Sequence, residues 1–208
     1  MNRPLQNFHY DTQDNENFVM VRSIWPNNNK YFQMKKVVVI GPESTGKSTL
    51  SEQLANYYNT SWVPEYAREY LLQHGTNYSY DDLLTIAKGQ VALEENYIER
   101  SSHSKLLFID TDQYVMQVWC EFVFGKCHSW ILDQITKRKY DLYLLCNIDL
   151  PWVNDILREY PDPAPRQQLY SIYKSILTNQ SVPWVEISGN YDERLQKAIH
   201  AVNDLLVL

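Results

Sequence analysis

The chain has 208 residues, 44% of them hydrophobic and 21% charged, with a formal net charge of −6. That size and composition suit one α/β domain with a sizeable core and a short appendage, and the acidic balance argues against a broad nucleic-acid or anionic-membrane footprint. No apolar run approaches the ~20 residues of a membrane helix, no signal-peptide segment opens the chain, and three cysteines without C-x-x-C spacing argue against a disulfide framework, so a reduced, cytosolic protein is expected.

Residues 1–33 are Asn-rich, with no sustained helical or strand period, and read as a loosely ordered N-terminal extension. A domain over residues 34–208 follows, with Met34 directly before the first strand. From there short apolar runs alternate with helical patterns, the signature of a parallel sheet with helices on both faces. Strands are expected at Lys36–Ile40, Ser61–Pro64, Leu106–Ile109, Leu142–Cys146 and Pro183–Ile187, about five in all. Helices are expected at about Gly46–Tyr58, Glu65–His74 with a stop at Gly75, and Gln113–Phe124 with a stop at Gly125. Ser79-Tyr80-Asp81-Asp82 has the form of a capping box opening a long helix. Further helices are expected over Ser129–Lys139, Pro151–Glu159 and Arg166–Leu177, and from near Asp192. Lys137-Arg138-Lys139 reads as a cationic helix end.

The first strand runs into Gly41-Pro42-Glu43-Ser44-Thr45-Gly46-Lys47-Ser48, which fits the phosphate-binding loop G-x-x-x-x-G-K-[ST] without a mismatch and in the required strand–loop–helix context. Its glycines let the backbone wrap around phosphates, and the N–H groups of the loop and of the next helix point at the anion. Gly41, Glu43, Ser44, Thr45, Gly46, Lys47, Ser48 and Thr49 are therefore the expected nucleotide contacts. Lys47 would bridge phosphate oxygens, and the Ser48 hydroxyl would help hold Mg²⁺. The fold class this implies is a P-loop NTPase-type parallel sheet.

Ligands of such folds gather at the carboxyl ends of the strands, which selects the remaining candidates. Asp110 ends the third strand, where an acidic residue holds Mg²⁺ beside the loop serine. Asp112 is either a second functional carboxylate or only the cap of the helix starting at Gln113. Glu65 follows the second strand, and Arg68 shares its helix face. The two form a surface ion pair or face a pocket, where Glu65 would accept a hydroxyl proton. Arg158 and Arg166 flank a proline-rich break, which is either a solvated loop or a lid bringing positive charge to a transferring phosphoryl group. Gly189 and Asn190, after the fifth strand, could pass close to a base ring. Asn147-Ile148-Asp149 lacks the lysine of the guanine-reading N-K-x-D pattern, so ATP is preferred over GTP.

The stretches GPESTGKSTL (41–50), VPEYAREYL (63–71), FIDTD (108–112), DLPWVNDILR (149–158) and ISGNYDERL (187–195) resemble the ribosylnicotinamide kinase domain of NadR-type proteins, from about Met34 to the C-terminus. The loop is shared by very many NTPases, whereas the P-E-Y-x-R-E and D-x-P-W-x-x-D-x-x-R patterns are far more specific. The resemblance implies a stand-alone kinase that uses ATP and Mg²⁺ to convert nicotinamide riboside to nicotinamide mononucleotide in NAD salvage. Another nucleoside as acceptor, or a nucleotide-dependent regulatory switch, are the alternatives. Asp149, Trp152, Asp155 and Arg158 fall on the family's second motif. With the placements read above, substrate contacts are expected from Glu65, Tyr66, Arg68, Asp112, Asp149, Trp152 and Asp155, with Lys47, Glu65, Asp110, Asp112, Arg158 and Arg166 as catalytic candidates. Either Glu65 or Asp112 would receive the hydroxyl proton. Ile156 departs from the pattern, standing where family members often carry Gly.

Overall fold

The computed structural model describes residues 33–157 and 159–207. The extension expected over 1–33 lies outside them except for its last residue, and so does Arg158. In chain order the elements are β1 (Lys35–Ile40), α1 (Lys47–Tyr57), β2 (Trp62–Val63), α2 (Tyr66–His74), α3 (Tyr80–Arg100), β3 (Leu106–Asp110), α4 (Gln113–Phe124), α5 (Ser129–Lys137), β4 (Leu142–Cys146), α6 (Pro163–Asn179), β5 (Trp184–Ile187) and α7 (Tyr191–Val207). The strands form one sheet in the order β2-β3-β1-β4-β5, and every pairing is parallel. The expected P-loop-type architecture is borne out.

Alternation within β1 decides the layering. Val37 and Val39 point to one face and Val38 and Ile40 to the other, all four fully buried. A parallel strand that is apolar on both faces needs cover on both. Leu50 and Leu54 of α1, with Ala198 and Val202 of α7, cover the first face. Val115 and Val118 of α4, with Leu169 and Tyr173 of α6, cover the second. A separate apolar cluster joins α3, α4 and α5 through Leu83, Ile86, Met116, Cys120 and Ile131. It holds α3 beside the sheet's β2 edge. Because all strands run the same way, their carboxyl ends meet at one edge of the sheet, and there the candidate residues collect.

The capping box is present: Ser79 Oγ accepts from Asp82 N–H at 3.3 Å, and Asp82 Oδ2 accepts from Ser79 N–H at 2.7 Å. Hydrogen bonds from Tyr70 and then Ser79 lower the Asp82 carboxyl to about 2. Ser79→Ala removes both hydrogen bonds of the hydroxyl, from Asp82 N–H and to Asp82 Oδ2, at the start of a 21-residue helix. The expected cost is about 1 kcal/mol, read as a lower urea midpoint at unchanged slope.

Two expectations are corrected. Residues 151–157 and 159 are not helical, and the only turn among them is at Ile156–Leu157. Their apolar spacing is helix-like, but the backbone donors are taken elsewhere: Val153 N–H by Ser44 Oγ, Leu157 N–H by Asp155, and the Glu159 and Tyr160 N–H groups by Glu43. The helix after the break starts earlier than Arg166, at Pro163, with proline in its first turn where a missing N–H costs nothing. The cationic helix end is present, with Lys137 in the last turn of α5 and Arg138 as its C-cap, and Arg138 has a second use. α5 stops at Lys137, and Arg138 turns inward to pair with the buried Glu94, which also binds Lys36 and Tyr140.

Candidate active site

The loop after β1 owes its shape to two glycines. Gly41 sits at φ 145°, and a Cβ there would lie 2.7 Å from Cys146 O at the end of β4. Gly46, at φ 76°, turns the chain into α1 in the left-handed region that side chains disfavour. The loop thus curls against the sheet and delivers the unpaired N–H groups of the α1 N-terminus to a single concavity. Lys47 Nζ and Thr45 Oγ1 both donate to Pro42 O, at 3.0 and 2.7 Å, bracing the curl from within.

Beside it, Ser48 Oγ donates to Asp110 Oδ2 at 2.5 Å. The register places Asp110 next to Val39, so the last residue of β3 stands beside the start of the loop. Burial, and then the charge of Glu65, push the Asp110 carboxyl well above the usual carboxylate range. Its Oδ1 is buried without a hydrogen-bond partner among the described residues. A hydroxyl and an orphaned carboxylate oxygen suit a hard cation such as Mg²⁺, which takes one or two protein oxygens and fills its shell with water and phosphate. Among the described residues no group of three or more His, Cys, Asp or Glu could form an all-protein metal cage.

One cleft begins at the loop, where Gly41, Glu43–Thr49 line it, and extends to Glu65 and Arg68. It continues along Leu71, Tyr78, Leu83, Ile86, Met116 and Trp119, an apolar and aromatic wall from α2, α3 and α4. Glu65 precedes α2 in extended backbone and makes no capping bond with its side chain, which leaves the carboxylate to the cleft, where Thr111 Oγ1 donates to it at 3.5 Å. Arg68 pairs not with Glu65 but with Asp155 of the segment after β4, at 3.0 Å. That pair is largely solvated, and its worth lies in position rather than energy.

Asp112 is placed differently. It is 1% exposed and does not line the cleft. Its Oδ1 accepts the Tyr114 N–H as the cap of α4, and its Oδ2 accepts the Tyr143 hydroxyl at 2.8 Å. Burial pushes this carboxyl up to about 7. Of the two uses weighed from the sequence, the cap is the one visible in the geometry.

The remaining candidates frame the loop. Glu43 and Ser44 hold the 153–160 segment by the bonds given above, and Arg166, 5% exposed, donates to Ser44 O at 3.5 Å. Asp149 accepts from Gly189 N–H at 2.6 Å and from Arg194. Asn190 caps α7, its Oδ1 accepting from Asp192 and Glu193 N–H at 3.0 Å each. Trp152 is half-buried in the segment after β4 and, like Asp149, Asn190 and Asp155, does not line the cleft. Tyr66 opens α2 with its N–H bound to the side chain of Gln90. Ile156 is 80% exposed at the turn.

Two residues that matter here went unnoticed in the sequence. Arg194 of α7 is 2% exposed, and its guanidinium donates to Gly189 O, Thr45 O and Asn147 O as well as to Asp149. It lies within the ISGNYDERL stretch, the one sequence signal pointing to it. Gln90, also 2% exposed, had none.

An all-parallel sheet with a phosphate-binding loop after its central strand, and an acidic residue at the neighbouring strand end, define a P-loop NTPase-type α/β protein. The chain belongs to the AAA domain family, whose model matches residues 36–194. It is 30% identical to the trifunctional NAD biosynthesis/regulator protein NadR of Escherichia coli (strain K12), over 87% of this chain and 45% of that protein. The NadR of Salmonella typhimurium matches to the same extent. The chain thus spans less than half the length of these relatives. A crystal structure of NadR protein in complex with NR superposes with a TM-score of 0.72 at 24% identity, covering 84% of this chain and 50% of that one. A thymidylate kinase from Ehrlichia chaffeensis superposes at 0.60 with 16% identity, covering 83% and 98%. The resemblance read from the motifs is borne out, and the structural neighbours share the fold.

Proposed function

We propose that this protein is an ATP- and Mg²⁺-dependent kinase that transfers the γ-phosphoryl group to the 5′-hydroxyl of nicotinamide riboside, yielding nicotinamide mononucleotide. The observation that carries it is the continuity of the cleft: a phosphate-binding loop at one end, the Glu65 carboxylate with only a long bond from Thr111 and an arginine in the middle, and an apolar, aromatic wall beyond. ATP phosphates fit the first part, a ribose hydroxyl the second and a flat ring the third. NadR, the relative matched along most of this chain, acts in NAD biosynthesis by its name, and a NadR structure contains NR.

The chemistry is positioning plus charge stabilisation. Loop N–H groups and Lys47 bind the phosphates, with Lys47 released from Pro42 O to reach them. Ser48 and Asp110 would hold Mg²⁺, which supplies neutralisation of phosphate charge. Glu65 orients the acceptor hydroxyl and takes its proton, while Arg68 binds the acceptor beside it. Arg166 steadies the loop through Ser44 O, and Glu43 and Ser44 hold the segment after β4 over the phosphates. Asp149, Gly189 and Asn190 shape the rim and act through the backbone rather than by lining the acceptor cleft.

The net charge of −6 favours a small-molecule acceptor over nucleic acid or an anionic membrane, and free Cys120, Cys127 and Cys146 suit a reducing cytoplasm. Among the described residues no helix is long and apolar enough to cross a membrane. The test is incubation with Mg-ATP and a panel of ribosides, with products identified by mass. Nicotinamide mononucleotide is the expected product. Its absence at micromolar protein would overturn the acceptor assignment, and the absence of any phosphorylated riboside would overturn the kinase reading.

A further inference from the structure

The carboxylate of Glu65 sits on a short connection between a two-residue strand and α2, a poor platform for a group that must meet a hydroxyl within tenths of an ångström. The neighbouring α3 supplies what the connection lacks. Gln90 Oε1 accepts the Tyr66 N–H at 2.7 Å, and Gln90 Nε2 donates to Pro64 O at 3.3 Å. The two peptide groups flanking Glu65 are therefore gripped by one buried amide, which imitates the missing backbone ladder. One residue earlier, Gly89 has no side chain where the Tyr66 ring lies. A Cβ there would fall 2.1 Å from Tyr66 Cε1 and 2.4 Å from Cδ1. Glycine in the interior of a 21-residue helix is unfavourable in its own right, and the ring resting on the bare backbone explains its presence. The seat itself is anchored, because Gln113 of α4 donates to Ala87 O of α3 at 3.1 Å.

We propose that Gly89 and Gln90 of α3 form a seat for the Pro64–Tyr66 connection, with Gln90 acting as the positioning residue for Glu65 and Gly89 fixing the Tyr66 ring. The seat is built from contacts independent of any ligand. Its effect on turnover rests on the reading of Glu65 as the group that receives the acceptor hydroxyl.

Gln90→Met keeps the length and burial of the side chain but neither hydrogen bond. The folded variant is expected to show Tyr66 amide exchange at least tenfold faster than wild type, with the α1 amides unchanged. Turnover is expected to fall about 10–100-fold while the KM for ATP stays within twofold. Combined with Glu65→Gln, it should add less than threefold to the loss from Glu65→Gln alone, because a positioning residue has nothing left to position. Gly89→Ala, which favours the helix, is expected to leave cooperative unfolding intact and raise the KM for the acceptor severalfold. Unchanged Tyr66 exchange in Gln90→Met, or fully multiplicative losses in the double variant, would overturn the proposal. If wild type phosphorylates no riboside, the proposed function fails, and the exchange arm still decides whether the seat exists.

Discussion

Glu65→Gln is expected to lower turnover of the riboside by about 10²–10⁴-fold, the range for removing a positioned general base, while Asp112→Asn lowers it by less than about tenfold. The two carboxylates end adjacent strands and are indistinguishable by chemistry, so their surroundings have to separate them. Glu65 faces the cleft, lies near Asp110 at the end of β3 and, among the described residues, receives only a long bond, from Thr111. Asp112 is sealed in the core, with one oxygen held by the Tyr114 N–H and the other by the Tyr143 hydroxyl. Asn satisfies the same contacts: its carbonyl oxygen caps α4, and its amide donates to the Tyr143 oxygen. Asp112→Asn should accordingly fold and turn over, whereas Glu65→Gln keeps the shape of the site and removes the proton acceptor. Single-turnover measurements isolate the chemical step from product release. A large loss in Asp112→Asn with none in Glu65→Gln would reverse the assignment, and no loss in either would remove both residues from the reaction.

What could be read from the sequence follows how local its causes are. The loop from Gly41 to Ser48 is a contiguous spacing rule, and β1, β3 and β4 each carry a short apolar run because a parallel strand is buried on both faces. Strand ends in turn pointed to Asp110 and Glu65. What escapes the sequence, apart from the proline-led start of α6, is long-range. Residues 151–159 carry Trp152, Val153, Ile156 and Leu157 at helical spacing, yet side chains of Glu43 and Ser44, more than a hundred residues earlier, capture backbone donors there and in the next residue. Arg138 looks like the end of a basic run until Glu94 on α3 is brought beside it. Gln90 sits in an ordinary helical stretch, and only the fold shows that its amide meets the two peptides around Glu65. Polar residues were legible where a motif fixed them and illegible where a distant backbone gave them their purpose.

The largest stability effect is expected at Arg194, the extreme case of that rule. Arg194→Ala should destabilise the fold by about 3–5 kcal/mol, the cost of removing a buried guanidinium and leaving three backbone carbonyls without their donor, beside a half-exposed carboxylate. The guanidinium reaches from α7 to three separate loops: Thr45 O in the phosphate loop at 2.9 Å, Asn147 O after β4 at 2.9 Å and Gly189 O after β5 at 2.8 Å, besides Asp149. No other side chain type offers five donors in one rigid plane, so Arg194→Lys keeps the charge and abandons at least one carbonyl. It is expected to recover less than half of the loss. Asp149→Asn in the Arg194→Ala background should recover part of it too, because a carboxylate without its guanidinium is costlier than a neutral amide in the same place. Because the same fork ties the phosphate loop to two other strand ends, affinity for ATP should weaken in step, at least tenfold in Arg194→Lys. Urea unfolding and ATP titration read the two consequences separately. A loss below about 1 kcal/mol in Arg194→Ala would mean that the loops hold one another without it. A destabilised Arg194→Lys that binds ATP normally would mean that the fork braces the fold and leaves the loop's shape to its glycines.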